Sequence, residues 1–176
     1  MPETPIRLAV IIGSTRKGRF GPTVARWFAA QAESRADLHV DVIDLADGEG
    51  ITERLGAADA FAVVTPEYNH SFPASLKAAI DDHFVEWRAK PVAFVSYGGI
   101  SGGLRAVEQL RLVFAELHAV TIRDTVSFHN AHTRFDAAGN PTSPDESVGA
   151  AKILLDQLTW WADALREARL IRTYTG

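Results

Sequence analysis

LAVIIGSTRKGRFGPTVAR, residues 8–26, decides the fold. Its five apolar residues, Leu8 to Ile12, read as a strand buried on both faces. The chain breaks at Gly13 into a loop of hydroxylated and basic residues: Ser14, Thr15, Arg16, Lys17, Gly18 and Arg19. A helix follows, with Pro22 suited to its first turn. Strand, polar glycine-bearing loop and helix N-terminus together make an anion site. Free N–H groups face the anion and the helix dipole adds to their pull. The hydroxyls of Ser14 and Thr15 and the arginine forks are further donors. No acidic residue lies between Glu3 and Glu33, so nothing local in sequence offsets the positive field. A phosphate belongs here. The loop lacks the Gly-Lys-Ser/Thr of a P-loop and the Gly-x-Gly-x-x-Gly of a dinucleotide site, which argues against ATP, GTP and tightly held NAD. A terminal monophosphate, as in FMN, is the natural occupant.

Outward from this segment, apolar runs alternate with helix-period segments, the pattern of a parallel sheet covered on both faces. Leu38 to Asp44 alternates as an edge strand does. Asp59 to Thr65 and Pro91 to Tyr97 read as buried strands, and Ala119 to Phe128 as a fifth, more polar one. Helices are expected at about 22–34, 73–87 and 103–117, the last with Leu104, Val107, Leu110, Phe114 and Leu117 on one stripe. The connection at 47–56 has room for a short helix. A final helix starts where Ser143 caps, Pro144 takes the first position and Glu146 completes a capping box, and it runs to about Leu170. The expectation is one α/β domain over 1–176: a three-layer, flavodoxin-like fold with a five-stranded parallel sheet in order 2-1-3-4-5.

The bulk properties narrow the function. A length of 176 residues and an apolar fraction of 47% suit a single core. No run approaches the ~20 apolar residues of a membrane span. Met-Pro-Glu-Thr-Pro at the start has no secretory pattern. The absence of cysteine excludes disulfides and thiolate chemistry and fits a cytoplasmic protein. A net charge of −4 gives no general reason to bind nucleic acid.

In such sheets ligands sit beyond the carboxyl ends of the strands, where strand order reverses. Three loops meet there. The first is the phosphate loop. The second is Thr65-Pro66-Glu67-Tyr68-Asn69-His70-Ser71-Phe72-Pro73, stiffened at both ends by proline. Backbone groups of Glu67 and Asn69, with the Asn69 amide, match the polar edge of an isoalloxazine ring, and Tyr68 can lie against the ring or ribityl chain. Asn69 also suits a helix cap. The third is Ser96 to Gly103, whose four glycines allow close approach to a flat ligand.

Gly99-Ile100-Ser101-Gly102-Gly103 also matches the Gly-x-Ser-x-Gly of hydrolases, with Asp124 and His129 or His132 following in the right order. Ser101 lies two glycines too far from the strand end for a nucleophile elbow. His129 and His132 resemble a metal pair, but no third ligand is evident, and no metal site is expected. Trp87 suits an interface or a ligand cover. The 129–141 loop is long enough to carry function.

Taken together, IIGSTRKGRFGP (11–22), TPEYNHSFPASLKAAID (65–81) and KPVAFVSYGGISGG (90–103) resemble the NADPH-dependent FMN reductase family, which includes quinone and azo-dye reductases. The resemblance implies bound FMN and two-electron reduction by NADPH or NADH, with a small flat molecule as acceptor. By position, it implies that Ser14, Arg16 and Arg19 hold the phosphate with the backbone of Phe20. It also implies that Pro66, Glu67, Tyr68 and Asn69 bind the ribityl chain and ring, and that Gly98 and Gly99 line the ring's other edge with Ser101 nearby. Many members carry serine and asparagine where this chain has Arg19 and Gly21. Since the flavin carries the chemistry, no catalytic side chain is expected. Members are commonly dimers or tetramers. The competing readings are a flavodoxin-type electron carrier and, more remotely, a serine hydrolase using Ser101.

Overall fold

A computed structural model describes residues 4–175; the first three residues of the N-terminal stretch read above lie outside the described residues. Five strands alternate with five helices: β1 (Ile6–Ile12), α1 (Gly21–Glu33), β2 (Leu38–Asp44), α2 (Ile51–Ala57), β3 (Ala60–Pro66), α3 (Ala74–Asp81), β4 (Pro91–Tyr97), α4 (Leu104–Glu116), β5 (Val120–Phe128) and α5 (Pro144–Ile171). All strand pairs are parallel, and their order is 2-1-3-4-5. Every residue of β3 and β4 is buried, and in β1 only Arg7 is exposed. That explains why these strands are continuous apolar runs; in the edge strand β2 only Leu38 and Ile43 are buried and Val42 is exposed, so the alternation of its sequence is not matched by alternate burial.

The period of two splits the core. Leu8, Val10 and Ile12 face α1 and α5, meeting Val24, Phe28, Leu154 and Leu158. Ala9 and Ile11 face the opposite layer, with Leu55, Ile80, Leu110 and Phe114. Each such side chain contributes about 1.5–3 kcal/mol by leaving water.

The elements differ from expectation in four places. First, α3 stops at Asp81, and the chain turns so that Trp87 enters the core, 1% exposed. Its ring meets Phe61 at 4.7 Å and Phe114 at 5.3 Å, and its N–H donates to the Ile80 carbonyl. Trp87 therefore neither covers a ligand nor faces a partner. Second, Leu104 is 42% exposed because α4 buries Ala106 and Val107 instead, and Leu117 lies at the C-cap. Third, the capping box at α5 does not form. The Ser143 side chain makes no cap bond; Glu146 pairs with Arg134, and Ser147 donates to the Ser143 carbonyl. Fourth, β1 begins at Ile6, two residues early, because the Ile6–Leu38 and Arg7–His39 pairs extend the ladder.

The candidate active-site cleft

The sheet register brings loops together. Ile12 lies beside Val64 and Pro66 beside Tyr97, so the loops after β1, β3 and β4 leave the sheet at one end. Between them is a cleft of about 580 Å³, within the range of small-molecule sites. Arg16 to Phe20 form one wall, Pro66 to Tyr68 another, and Tyr97 to Gly99 a third.

In the first loop, Ser14 is fully buried and its hydroxyl lies 2.7 Å from that of Tyr68. The Arg16 N–H reaches the Ser14 Oγ at 3.4 Å. Ser14 thus ties the loop to β3's successor instead of projecting freely. The exposed Arg16 guanidinium stands over the Tyr68 ring, 5.3 Å from its centroid. Gly18 takes φ +71°, and the Arg19 N–H closes the turn onto the Arg16 carbonyl. Among the described residues, the N–H groups of Lys17, Gly18 and Phe20 have no acceptor.

Arg19 departs from the expected picture. The β1–β2 register places Asp44 beside Ile12, and Arg19 forks onto its carboxylate while also donating to the Ser14 carbonyl at 2.7 Å. Burial pushes the Asp44 carboxyl up, but Arg19 and the Ala46 N–H outweigh it and hold it below its ordinary value. The local field is therefore offset after all, by an acid 25 residues away in sequence.

In the second loop, Tyr68 and Ser71 exchange backbone hydrogen bonds of 2.9 and 3.0 Å. Asn69 and His70 between them both take positive φ, +51° and +67°, a tight two-residue turn. Asn69 does not cap α3, which starts after Pro73. It borders a second hollow of about 590 Å³ with Thr15 and Ser75, and does not line the cleft itself. The Glu67 carboxylate accepts from the Ser101 hydroxyl at 2.7 Å and from Arg105 Nε at 2.6 Å.

In the third loop the glycines divide. A Cβ on Gly103 (φ +85°) would lie 2.7 Å from the Ser96 Cβ, and one on Gly102 (φ +61°) 2.5 Å from the Ser127 Oγ. Those two serve backbone packing. Gly98 and Gly99 form the ledge of the cleft, and a Cβ on Gly99 would meet nothing within 4 Å.

Sequence reading missed a fourth wall. Asn130, Ala131, His132 and Thr133, after β5, also line the cleft. The N–H groups of Asn130 and Ala131 donate to the carbonyls of Gly99 and Gly98, at 2.8 and 3.0 Å, and the His132 ring packs 5.0 Å from that of Phe20. Asn130, with φ +50°, lies two residues beyond the end of β5 and was the available signal, since asparagine tolerates the left-handed region.

The hydrolase constellation is not assembled. Ser101 donates to Glu67, His129 Nδ1 faces the Ile100 carbonyl, and Asp124 holds Gln157. No cluster of potential metal ligands occurs among the described residues. Nor is any helix of the described residues long and apolar enough to cross a membrane.

Comparison with known proteins places the chain in a family and a fold. The family model for NADPH-dependent FMN reductase matches residues 6–133. An NAD(P)H-dependent FMN reductase of Schizosaccharomyces pombe is 33% identical over 120 residues, covering 55% of this chain and 60% of that one. The quinone reductase of Escherichia coli K12 is 32% identical over 143 residues, 66% of this chain and 73% of its own. Among solved structures, a flavoenzyme NAD(P)H:acceptor oxidoreductase from Paracoccus denitrificans superposes with a TM-score of 0.71 at 21% identity, covering 90% of this chain and 98% of that one. A flavodoxin mutant from Pseudomonas aeruginosa gives 0.62 at 20% identity, covering 92% and 99%. These structural likenesses establish the flavodoxin-like fold. The family model spans most of the chain, including the first three loops of the cleft and the fourth as far as Thr133, and this chain belongs to the NADPH-dependent FMN reductase family.

Proposed function

We propose that the chain is an FMN-dependent NAD(P)H oxidoreductase that reduces quinones or similar flat acceptors, with residues 1–176 as one FMN-binding domain. The carrying observation is the set of unpaired donors at the cleft wall. Arg16 and Lys17, with the acceptor-free N–H groups of Lys17, Gly18 and Phe20, line the same cleft as the Gly98–Gly99 ledge. That donor chemistry fits a terminal phosphate, and the ledge at Gly98–Gly99 fits the approach of a planar ring. Held by Arg16, the N–H groups of the first loop and the Gly98–Gly99 ledge, FMN would supply two-electron redox chemistry between a nicotinamide and an acceptor.

The protein's own residues bind and orient. Arg16 is the phosphate's charged partner in this reading. Ser14 supports it from behind through Tyr68 and the Arg16 N–H. Arg19, held by Asp44, shapes the loop. Pro66, Glu67 and Tyr68 present backbone to the ring, whereas Asn69, which borders the second hollow and not the cleft, has no contact with the ligand in this reading. Ser101 acts through Glu67 and does not touch the ligand. The homologue names favour an enzyme over an electron carrier, because the relatives are reductases of FMN and quinones. A dimer or tetramer belongs to the same reading, with exposed Ile153 and Trp160 on α5 available for contact. So does a cytoplasmic setting, where NADPH and NADH are supplied. Steady-state oxidation of NADPH or NADH with a quinone tests the proposal; absence of turnover by flavin-loaded protein would defeat it.

A further inference from the structure

Glu67 stands in the cleft wall, yet its side chain is only 6% exposed. Three donors converge on it. Oε2 accepts from the Ser101 hydroxyl at 2.7 Å and from the Arg105 N–H at 3.2 Å, and Oε1 accepts from Arg105 Nε at 2.6 Å. Burial pushes the carboxyl up, but Ser101 and Arg105 together hold it below its ordinary value, so it is an anion at neutral pH. Neither Ser101 nor Arg105 lines the cleft. Arg105 sits in the first turn of α4, where a cation gains nothing from the helix dipole. Its Nη1 is 2.7 Å from His70 Nε2, and Gln109, one turn on, donates to the His70 carbonyl. The first turns of α4 are thereby stitched to the ring-facing loop.

We propose that Arg105 is a positioning residue that sets the reduction potential of the bound flavin by neutralising Glu67. This rests on the FMN reading above. Hydride transfer to oxidised flavin delivers two electrons and one proton, so the product gains one negative charge. An unpaired carboxylate in the adjacent wall opposes that charge. With Arg105 in place the wall carries a neutral pair. The flat glycine ledge on the other side contributes no charge. The sign of the wall is then decided by a residue outside the cleft.

The test is the two-electron midpoint potential of FMN bound to the full chain, at about pH 8 so that Glu67 stays ionised. Glu67→Gln leaves the Arg105 cation and raises the potential; Arg105→Gln leaves the carboxylate and lowers it. Each change is expected to alter the ratio of oxidised to reduced flavin affinity by tenfold or more, about 30 mV for a two-electron couple. Arg105→Lys keeps the charge while losing the fork, and its potential stays close to wild type. If Glu67→Gln does not fold, the lysine and glutamine variants at 105 decide between them. Potentials that coincide for Arg105→Lys and Arg105→Gln, or any order other than Glu67→Gln above wild type above Arg105→Gln, overturn the proposal and leave the pair a structural clasp. Failure of the wild type to bind FMN at all would instead overturn the functional reading.

Discussion

Asp44 grips Arg19 through two charge-assisted hydrogen bonds, Nη1 to Oδ1 at 2.5 Å and Nη2 to Oδ2 at 2.7 Å. The pair separates two arginines that look equivalent in sequence. Arg16 has no acidic partner among the described residues, whereas Arg19 commits its fork to the end of β2. Arg16→Ala is expected to weaken FMN binding more than tenfold, about 1.5–3 kcal/mol, by losing a charge-assisted phosphate contact. Arg19→Ala is expected to lower the thermal midpoint while weakening binding less than Arg16→Ala does. Fluorescence titration with FMN, alongside thermal melts, checks both; equal affinity losses would show that the two arginines share the phosphate.

The glycine loop offers a cleaner separation of ligand from fold. Gly103→Ala forces an L-residue into φ +85° with its Cβ 2.7 Å from that of Ser96, so a loss of stability of about 1–3 kcal/mol is expected. Gly99→Ala adds a methyl group in open space and leaves the melt unchanged. If the flavin ring lies on the ledge, the same methyl group lowers FMN affinity. A Gly99→Ala variant with wild-type affinity would place the ring elsewhere.

Lys90 lies at the opposite end of the sheet, 7% exposed, donating to the carbonyls of Leu55 and Gly56 at 3.1 Å each. Burial, with the Arg169 charge, pushes its ammonium down to about 8 against the pull of Asp59 and Glu86. The folded value lies below the unfolded one, so the unfolded chain holds more protons between about pH 8 and pH 10.4. Stability therefore rises with pH across that window as the desolvation penalty is relieved. Between about pH 7 and pH 10, urea unfolding should show wild type gaining about 2–3 kcal/mol relative to Lys90→Met. Parallel curves for the two proteins would contradict this.

Trp87→Ala should destabilise by about 3–5 kcal/mol, because it empties the space between Phe61 and Phe114. Chemical denaturation measures the loss. Any loss of FMN binding should follow the loss of fold, since Trp87 does not line the cleft.

The sheet order, and the meeting of the loops after β1, β3 and β4 at one end of the sheet, were legible in the sequence because buried parallel strands leave strong local patterns. The β1 run needed no tertiary information. What escaped depends on partners distant in the chain. Asp44 reaches Arg19 only through the β1–β2 register. The clasp on the Glu67 side chain forms only when the fold brings Arg105 beside it. Trp87 looks like a cover because no local signal ends α3 at Asp81. The Ser143 capping box fails because Glu146 is drawn to Arg134, a pairing that propensity cannot anticipate.

The central claim is that the cleft walled by the Arg16–Phe20 loop and the Gly98–Gly99 ledge holds FMN. Equilibrium titration of the purified full chain with FMN, read by quenching of flavin fluorescence, tests it most directly. Saturable binding that Arg16→Ala weakens more than tenfold while the fold is retained is the expected result. A protein that shows no flavin absorbance as purified and does not quench added FMN would contradict it.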